Sequence, residues 1–162
     1  MSCAARAALL LNRSFMPESP PFYKQETDYS CVPACLRIVL ASLGVFKTEQ
    51  ELRELCDCTL LEGTSALKAV DAARAAGFKG TRKRNLTFDD LMSELERGLF
   101  PIAYVETLLP PHAFAQSHAL VVIAIERDEV KALDPARGEI AFSKDGFLAE
   151  WNSTRRLAIL IE

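Results

Sequence analysis

No stretch of this chain approaches the about 20 consecutive apolar residues that a membrane-crossing helix needs, so a span of that kind is not expected. The N-terminal run AARAALLLNRSF is short, broken by Arg6 and followed by no small-x-small cleavage site, which argues against a secretory signal. Positive charge is not in excess. Nineteen Lys and Arg face 22 Asp and Glu, a net charge of −3, and the one basic cluster, Lys79 to Arg84, reads as a solvated strand end. A protein that grips a nucleic-acid backbone is therefore not expected. The five cysteines form no even framework, which suits a reducing, cytoplasmic setting better than a secreted disulfide scaffold. Cys56-Asp57-Cys58 lacks a second pair at ligand spacing, so no metal is expected, and nothing calls for a cofactor. Histidine is scarce: His112 and His118 are the two imidazoles available to any mechanism.

What is present is an ordinary globular composition, 49% hydrophobic and 25% charged, in 162 residues. That length suits one domain. The chain is organised around Gln25 to Gly44, QETDYSCVPACLRIVLASLG. A polar approach meets a helix there, with Cys31 at the junction. Leu36, Val39, Leu40 and Leu43 recur at the steps that bury one helix face, and Pro33 is tolerable in the first turn. A cysteine at a helix start has free backbone N–H groups and the positive end of the dipole beside its sulfur. Both favour the nucleophilic thiolate.

Residues 1–20 read as an N-terminal arm, its prolines between Pro17 and Pro21 denying regular helix, and residues 21–162 as the working domain. A second helix fits Thr48 to about Cys56, with Thr48 and Glu51 forming a capping box. A third runs from Thr64 or Ser65 to about Ala76 and is expected to bury Leu67, Val70 and its alanines. Phe78 to Arg84 reads as a strand, Thr87 to Arg97 as a helix, Phe100 to Glu106 as a strand, and LLPPHAFAQ as a loop. His118 to Ile125 is apolar on both faces and hence central. Glu129 to Leu133 is its hairpin partner. Glu139 to Phe142, a helical turn ending at Trp151 and a strand over Arg156 to Ile161 complete the chain, with Trp151 expected in the core. Helices first and an antiparallel sheet second make an α+β layout.

A thiolate that attacks a carbonyl needs a base, a group that orients the base, and donors for the oxyanion. His118, opening the central strand, is preferred as base to His112 in its proline loop. Asp134 is the candidate orienter, on a condition of register. With a three-residue loop, Glu126-Arg127-Asp128, Ile125 pairs with Glu129 and His118 falls opposite Ala136. Asp134 then shares the His118 face at ~7 Å between Cα atoms. A two-residue loop puts it on the other face. Gln25 can donate its amide to an oxyanion beside the Cys31 N–H. Cys35, one turn after Cys31, reads as a buried small apolar group and is the fallback nucleophile.

The segment FYKQETDYSCVPACLRIVL resembles the active-site segment of the bacteriocin-processing, double-glycine-leader peptidases of the papain-like clan, in which glutamine, five residues and cysteine lead into the first helix. SHALVVIAI followed by LDPARGEI is similar to that family's histidine strand and Asp-Pro-x-x-Gly turn, and SKDGFLAEW to its late helix. The resemblance runs from about Pro21 to the C-terminus. It implies a papain-like fold, the N-terminal helical half packed on the sheet. It also implies Cys31 as nucleophile, His118 as base, Asp134 as orienter and Gln25 as oxyanion donor. The expected substrate is a peptide or protein, cut after small residues such as Gly-Gly. Val32 stands where the family typically has glycine, which is expected to crowd the cleft or narrow its substrate range. The family's fused transporter has no counterpart here, so a separate transporter or partner protein is expected. Another acyl transfer or amide hydrolysis at the same residues, or peptide binding without catalysis, are the alternatives.

Overall fold

In the computed structural model, residues 18–108 and 115–162 are described. His112 and most of the expected arm over residues 1–20 lie outside them. Residues 18–24 carry no helix or strand. Helix α1, Cys31–Ser42, begins at the cysteine and stops before Gly44, whose φ of 82° a side chain would disfavour. The helix is buried on nearly every side rather than along one stripe, from Val32 through Ala41 except Arg37. Leu43 is the exception to the expected face: it lies past the last turn and is 42% exposed.

Helix α2, Glu49–Leu55, carries the expected capping box, Thr48 accepting from the Glu51 N–H and Glu51 accepting from the Thr48 N–H. Helix α3, Ala66–Ala75, is capped by Ser65 and buries Ala66, Ala69, Val70 and Ala73. Leu67 is not on that stripe. It sits one residue, or about 100°, round the helix from Ala66 and is 60% exposed. The expected strand from Phe78 is shorter, because Phe78 to Thr81 closes a turn and Gly80 donates to the Glu162 carbonyl. Strand β1 is Arg82–Asn85. Helix α4, Phe88–Glu96, follows a second capping box, Thr87 with Asp90.

The remaining elements are β2, Ile102–Leu108; β3, Ala115–Glu126; β4, Glu129–Asp134; β5, Gly138–Ser143; α5, Lys144–Asn152; and β6, Leu157–Leu160. The strands form one antiparallel sheet in the order β1-β6-β2-β3-β4-β5, which makes β3 central as expected. Alternation along β3 divides the core. Ala119 and Val121 pack with α1 and α3, while Leu120 and Val122 pack with Leu91 of α4 and with Phe147 and Trp151 of α5. Trp151 is fully buried and donates its indole N–H to the Leu157 carbonyl. The fold is papain-like α+β: the first three helices cover one face of the sheet, and α4 and α5 cover the other.

The hairpin between β3 and β4 differs from the expected one. Glu126 pairs with Glu129, so the loop is only Arg127-Asp128, with Arg127 at a φ of 56°. By itself that loop would put Asp134 on the wrong face. A bulge between Val122 and Ala124 inserts one extra residue and shifts the pairing to Val122–Ala132 and Val121–Leu133. Those pairs belong to the register of a three-residue loop, so the face is recovered by another route.

Candidate active site

The approach to α1 is a tightly bonded loop. Thr27 donates its N–H to the Ser30 hydroxyl at 3.1 Å, and that hydroxyl donates back to the Thr27 carbonyl at 3.1 Å. Ser30 therefore spends its side chain on the loop and makes no cap bond to α1. The first turn of α1 contains no acidic residue. Its N–H groups and dipole act at Cys31 without a competing carboxylate. Cys31 is partly exposed in a cleft, whereas Cys35, one turn on, is fully buried. Burial first, then the charges of Cys31 and Asp134, push the Cys35 thiol well above its ordinary range. The fallback nucleophile is out of reach of a solvent-borne substrate.

His118 lies on β3 opposite Val105 of β2, beyond the last β3–β4 pair. Its Nε2 is 2.9 Å from Asp134 Oδ1, and its ring lines the same cleft as Cys31. With Nε2 engaged by the carboxylate, Nδ1 is the nitrogen left for the sulfur. Burial draws the imidazole pKa down, but the hydrogen bond and charge of Asp134 and the neighbouring Cys31 outweigh it and raise it to about 9. Asp134 is fully buried. Burial alone would raise its pKa, yet His118, the Arg137 guanidinium and the Ala136 N–H hold the carboxyl well below the usual carboxylate range. The Ala136 N–H donates to Oδ1 at 2.8 Å and Arg137 Nε to Oδ2 at 2.8 Å. Arg137 was not singled out from sequence. Its signal was an arginine three residues after the aspartate in the same turn.

Gln25 approaches from the other side. Its backbone N–H donates to the Pro135 carbonyl at 2.8 Å, tying the loop to the Asp134-Pro135 turn. Its side-chain Nε2 donates one hydrogen to the Thr27 carbonyl at 2.8 Å, which leaves the second for a ligand. The cleft has two halves that meet at Asp28 and His118. One is lined by Cys31, Val32, Tyr104 and the Leu60-Leu61 loop, the other by Gln25, Thr107, Asp134 and Arg137. Leu60 and Leu61 are 73% and 94% exposed at its rim. Val32 backs the wall but is packed into the core, 3% exposed. No group of three metal-ligating side chains occurs among the described residues. No helix among them is long and apolar enough to cross a membrane. The structure thus brings Cys31, His118, Asp134 and Gln25 to one cleft, with the imidazole hydrogen-bonded to the carboxylate and the sulfur on the same wall as the imidazole.

Known proteins resemble this chain in sequence and in fold. The profile of the Peptidase C39 family matches residues 19–161. An uncharacterized protein of Methanothermobacter marburgensis is 32% identical over 125 residues, which are 76% of this chain and 78% of that protein. The lactococcin-G-processing and transport ATP-binding protein LagD of Lactococcus lactis is 28% identical over 127 residues, 78% of this chain but 17% of LagD. Among solved structures, the peptidase domain of Streptococcus ComA, a bi-functional ABC transporter, superposes with a TM-score of 0.66 at 25% identity, covering 89% of this chain and 98% of that domain. A double glycine motif protease from an AMS/PCAT transporter, solved with a leader peptide, shares the fold with a TM-score of 0.65 at 16% identity, covering 93% and 96%.

Proposed function

The chain belongs to the Peptidase C39 family, and from that premise we propose that it hydrolyses peptide bonds through a thioester acyl-enzyme, with Cys31 as nucleophile. The observation that carries the reading is that the Cys31 sulfur lines one cleft with a His118 ring hydrogen-bonded to Asp134. With its pKa at about 9, His118 holds a proton at neutral pH. The sulfur attacks the scissile carbonyl, and the carbonyl oxygen becomes an oxyanion held by the Cys31 N–H and the free Gln25 amide hydrogen. His118 gives its proton to the leaving amine, then takes one from the water that attacks the thioester. Asp134 keeps the ring in the tautomer and orientation that serve both transfers.

The preferred substrate is a peptide with small residues, such as Gly-Gly, before the cut. The sequence motifs and the double-glycine peptidases among the structural relatives support this choice. A separate transporter or partner protein would present the peptide; LagD and ComA, whose names describe transport, support that part. The four described cysteines are all free, which supports a cytoplasmic setting. The test is cleavage of a peptide library by wild type beside Cys31→Ala, read by product mass. Cleavage that needs Cys31, with water added and the chain split, is expected. Identical digestion patterns would remove the assignment, and a mass change without chain scission would replace peptide hydrolysis by side-chain amide hydrolysis.

A further inference from the structure

Glu49 is a carboxylate with no exposed surface, in the first turn of α2. Taking an ionised carboxylate out of water is unfavourable unless it is paired or hydrogen-bonded. Among the described residues its hydrogen-bond partner is a single backbone group on a distant segment: the Glu26 N–H donates to both oxygens of Glu49, at 3.0 Å each. That amide is the peptide link directly after Gln25. On the preceding side, the Gln25 N–H is fixed to the Pro135 carbonyl. The backbone of Gln25 is therefore held at both of its peptide bonds, by the Asp134-Pro135 turn on one side and by Glu49 on the other.

The Glu26 side chain strengthens the arrangement without replacing it. It lies 3.5 Å from Arg37 of α1 and 3.7 Å from Arg53 of α2, contacts that are half exposed and worth little. The buried contact is the one through Glu49. An oxyanion donor works only if it is in place before the charge forms, because a displacement of about 1 Å can lower the rate about a hundredfold. We propose that Glu49 is a positioning residue of the active site: by holding the Glu26 amide it fixes Gln25 where its side chain stabilises the oxyanion. The inference rests on the peptidase reading above. Glu49 touches no reacting atom.

The test separates steps that do and do not form an oxyanion. Iodoacetamide reacts at Cys31 by displacement of iodide, so no oxygen gains charge. With the peptide aldehyde acetyl-Gly-Gly-glycinal, the sulfur adds to the carbonyl carbon, the C=O π pair moves to oxygen, and the imidazolium proton completes a hemithioacetal. Full-length wild type, Glu49→Gln and Glu49→Ala are compared by aldehyde dissociation constant and by alkylation rate at Cys31. The expected order of aldehyde affinity is wild type, then Glu49→Gln, which keeps one accepting oxygen, then Glu49→Ala, weakened about tenfold or more. Alkylation rates stay within twofold throughout. Unchanged aldehyde affinity in Glu49→Ala, parallel loss of both reactions, or no aldehyde binding by wild type overturns the proposal. If Glu49→Ala does not fold, Glu49→Gln decides: twofold or greater weakening supports it, less overturns it. The peptidase reading fails separately, when alkylation of wild type and His118→Ala proceeds at the same rate.

Discussion

Asp134 Oδ1 lies 2.9 Å from His118 Nε2 although the strands that carry them stop pairing at Val121–Leu133, three residues short of the histidine. The contact is made by side chains at the open end of the sheet, where β3 is paired only with β2. A carboxylate there has three jobs at once: it accepts from the imidazole, from the Ala136 N–H and from Arg137.

Removing that carboxylate should damage stability and chemistry together. Asp134→Ala strands a partly buried imidazole and a turn amide, for an expected loss of about 3 kcal/mol in urea unfolding. The imidazole also loses its orientation, and kcat for peptide cleavage should fall at least about a hundredfold. A kcat within threefold of wild type would remove Asp134 from the mechanism.

The pH dependence of stability follows from His118. Burial opposes its charge, but the bond to Asp134 and the neighbouring Cys31 raise its pKa from 6.5 to about 9. Protonated His118 therefore contributes stability that is fully present below pH 6.5 and is lost as pH rises through about 9. The full contribution is about 3 kcal/mol. Asp134 has the opposite sign, its pKa lying below the ordinary range, so its contribution is lost in acid. Unfolding free energies of wild type and His118→Gln should differ most near pH 6 and converge near pH 10. A difference independent of pH would contradict the raised value.

Cys35 should behave as core rather than as a nucleophile. Folded protein treated with iodoacetamide at pH 7.5 should carry the label on Cys31 and none on Cys35, which has no exposed surface. Cys35→Ala should keep cleavage within threefold and lose about 1 kcal/mol of stability. Loss of cleavage with the fold intact would restore Cys35 as a candidate.

Val32→Gly restores the residue typical of the family. The valine side chain is 3% exposed in the cluster beneath α1, so its removal is expected to cost about 3 kcal/mol from lost burial and helix propensity. Because the side chain packs inward, cleavage of peptides with larger residues before the cut should rise no more than twofold. A tenfold gain would show that Val32 restricts the cleft.

Much of this molecule was decided by patterns a few residues long. Thr48 with Glu51 and Thr87 with Asp90 announce helix starts because a cap and its partner are three residues apart. Cys31 could be placed at a helix start, and His118 on a central strand, from neighbours alone. Leu67 departs from the expected core because hydrophobicity alone does not fix its angle from the Ala66, Ala69, Val70 and Ala73 stripe. The role of Arg137 is not legible locally, because an arginine in a turn ordinarily faces water.

The sequence by itself determined the helices, the strands and the residue types that could meet, since capping, periodicity and turn chemistry act over one or two turns of backbone. Only the tertiary structure decided that they do meet. The bulge that returns Asp134 to the His118 face leaves no local mark, because an extra residue in a strand is defined by the strand across from it. Glu49 reads as a solvated first-turn glutamate until folding seals it against an amide 23 residues away. Long-range pairing and the exclusion of water belong to the packed chain as a whole.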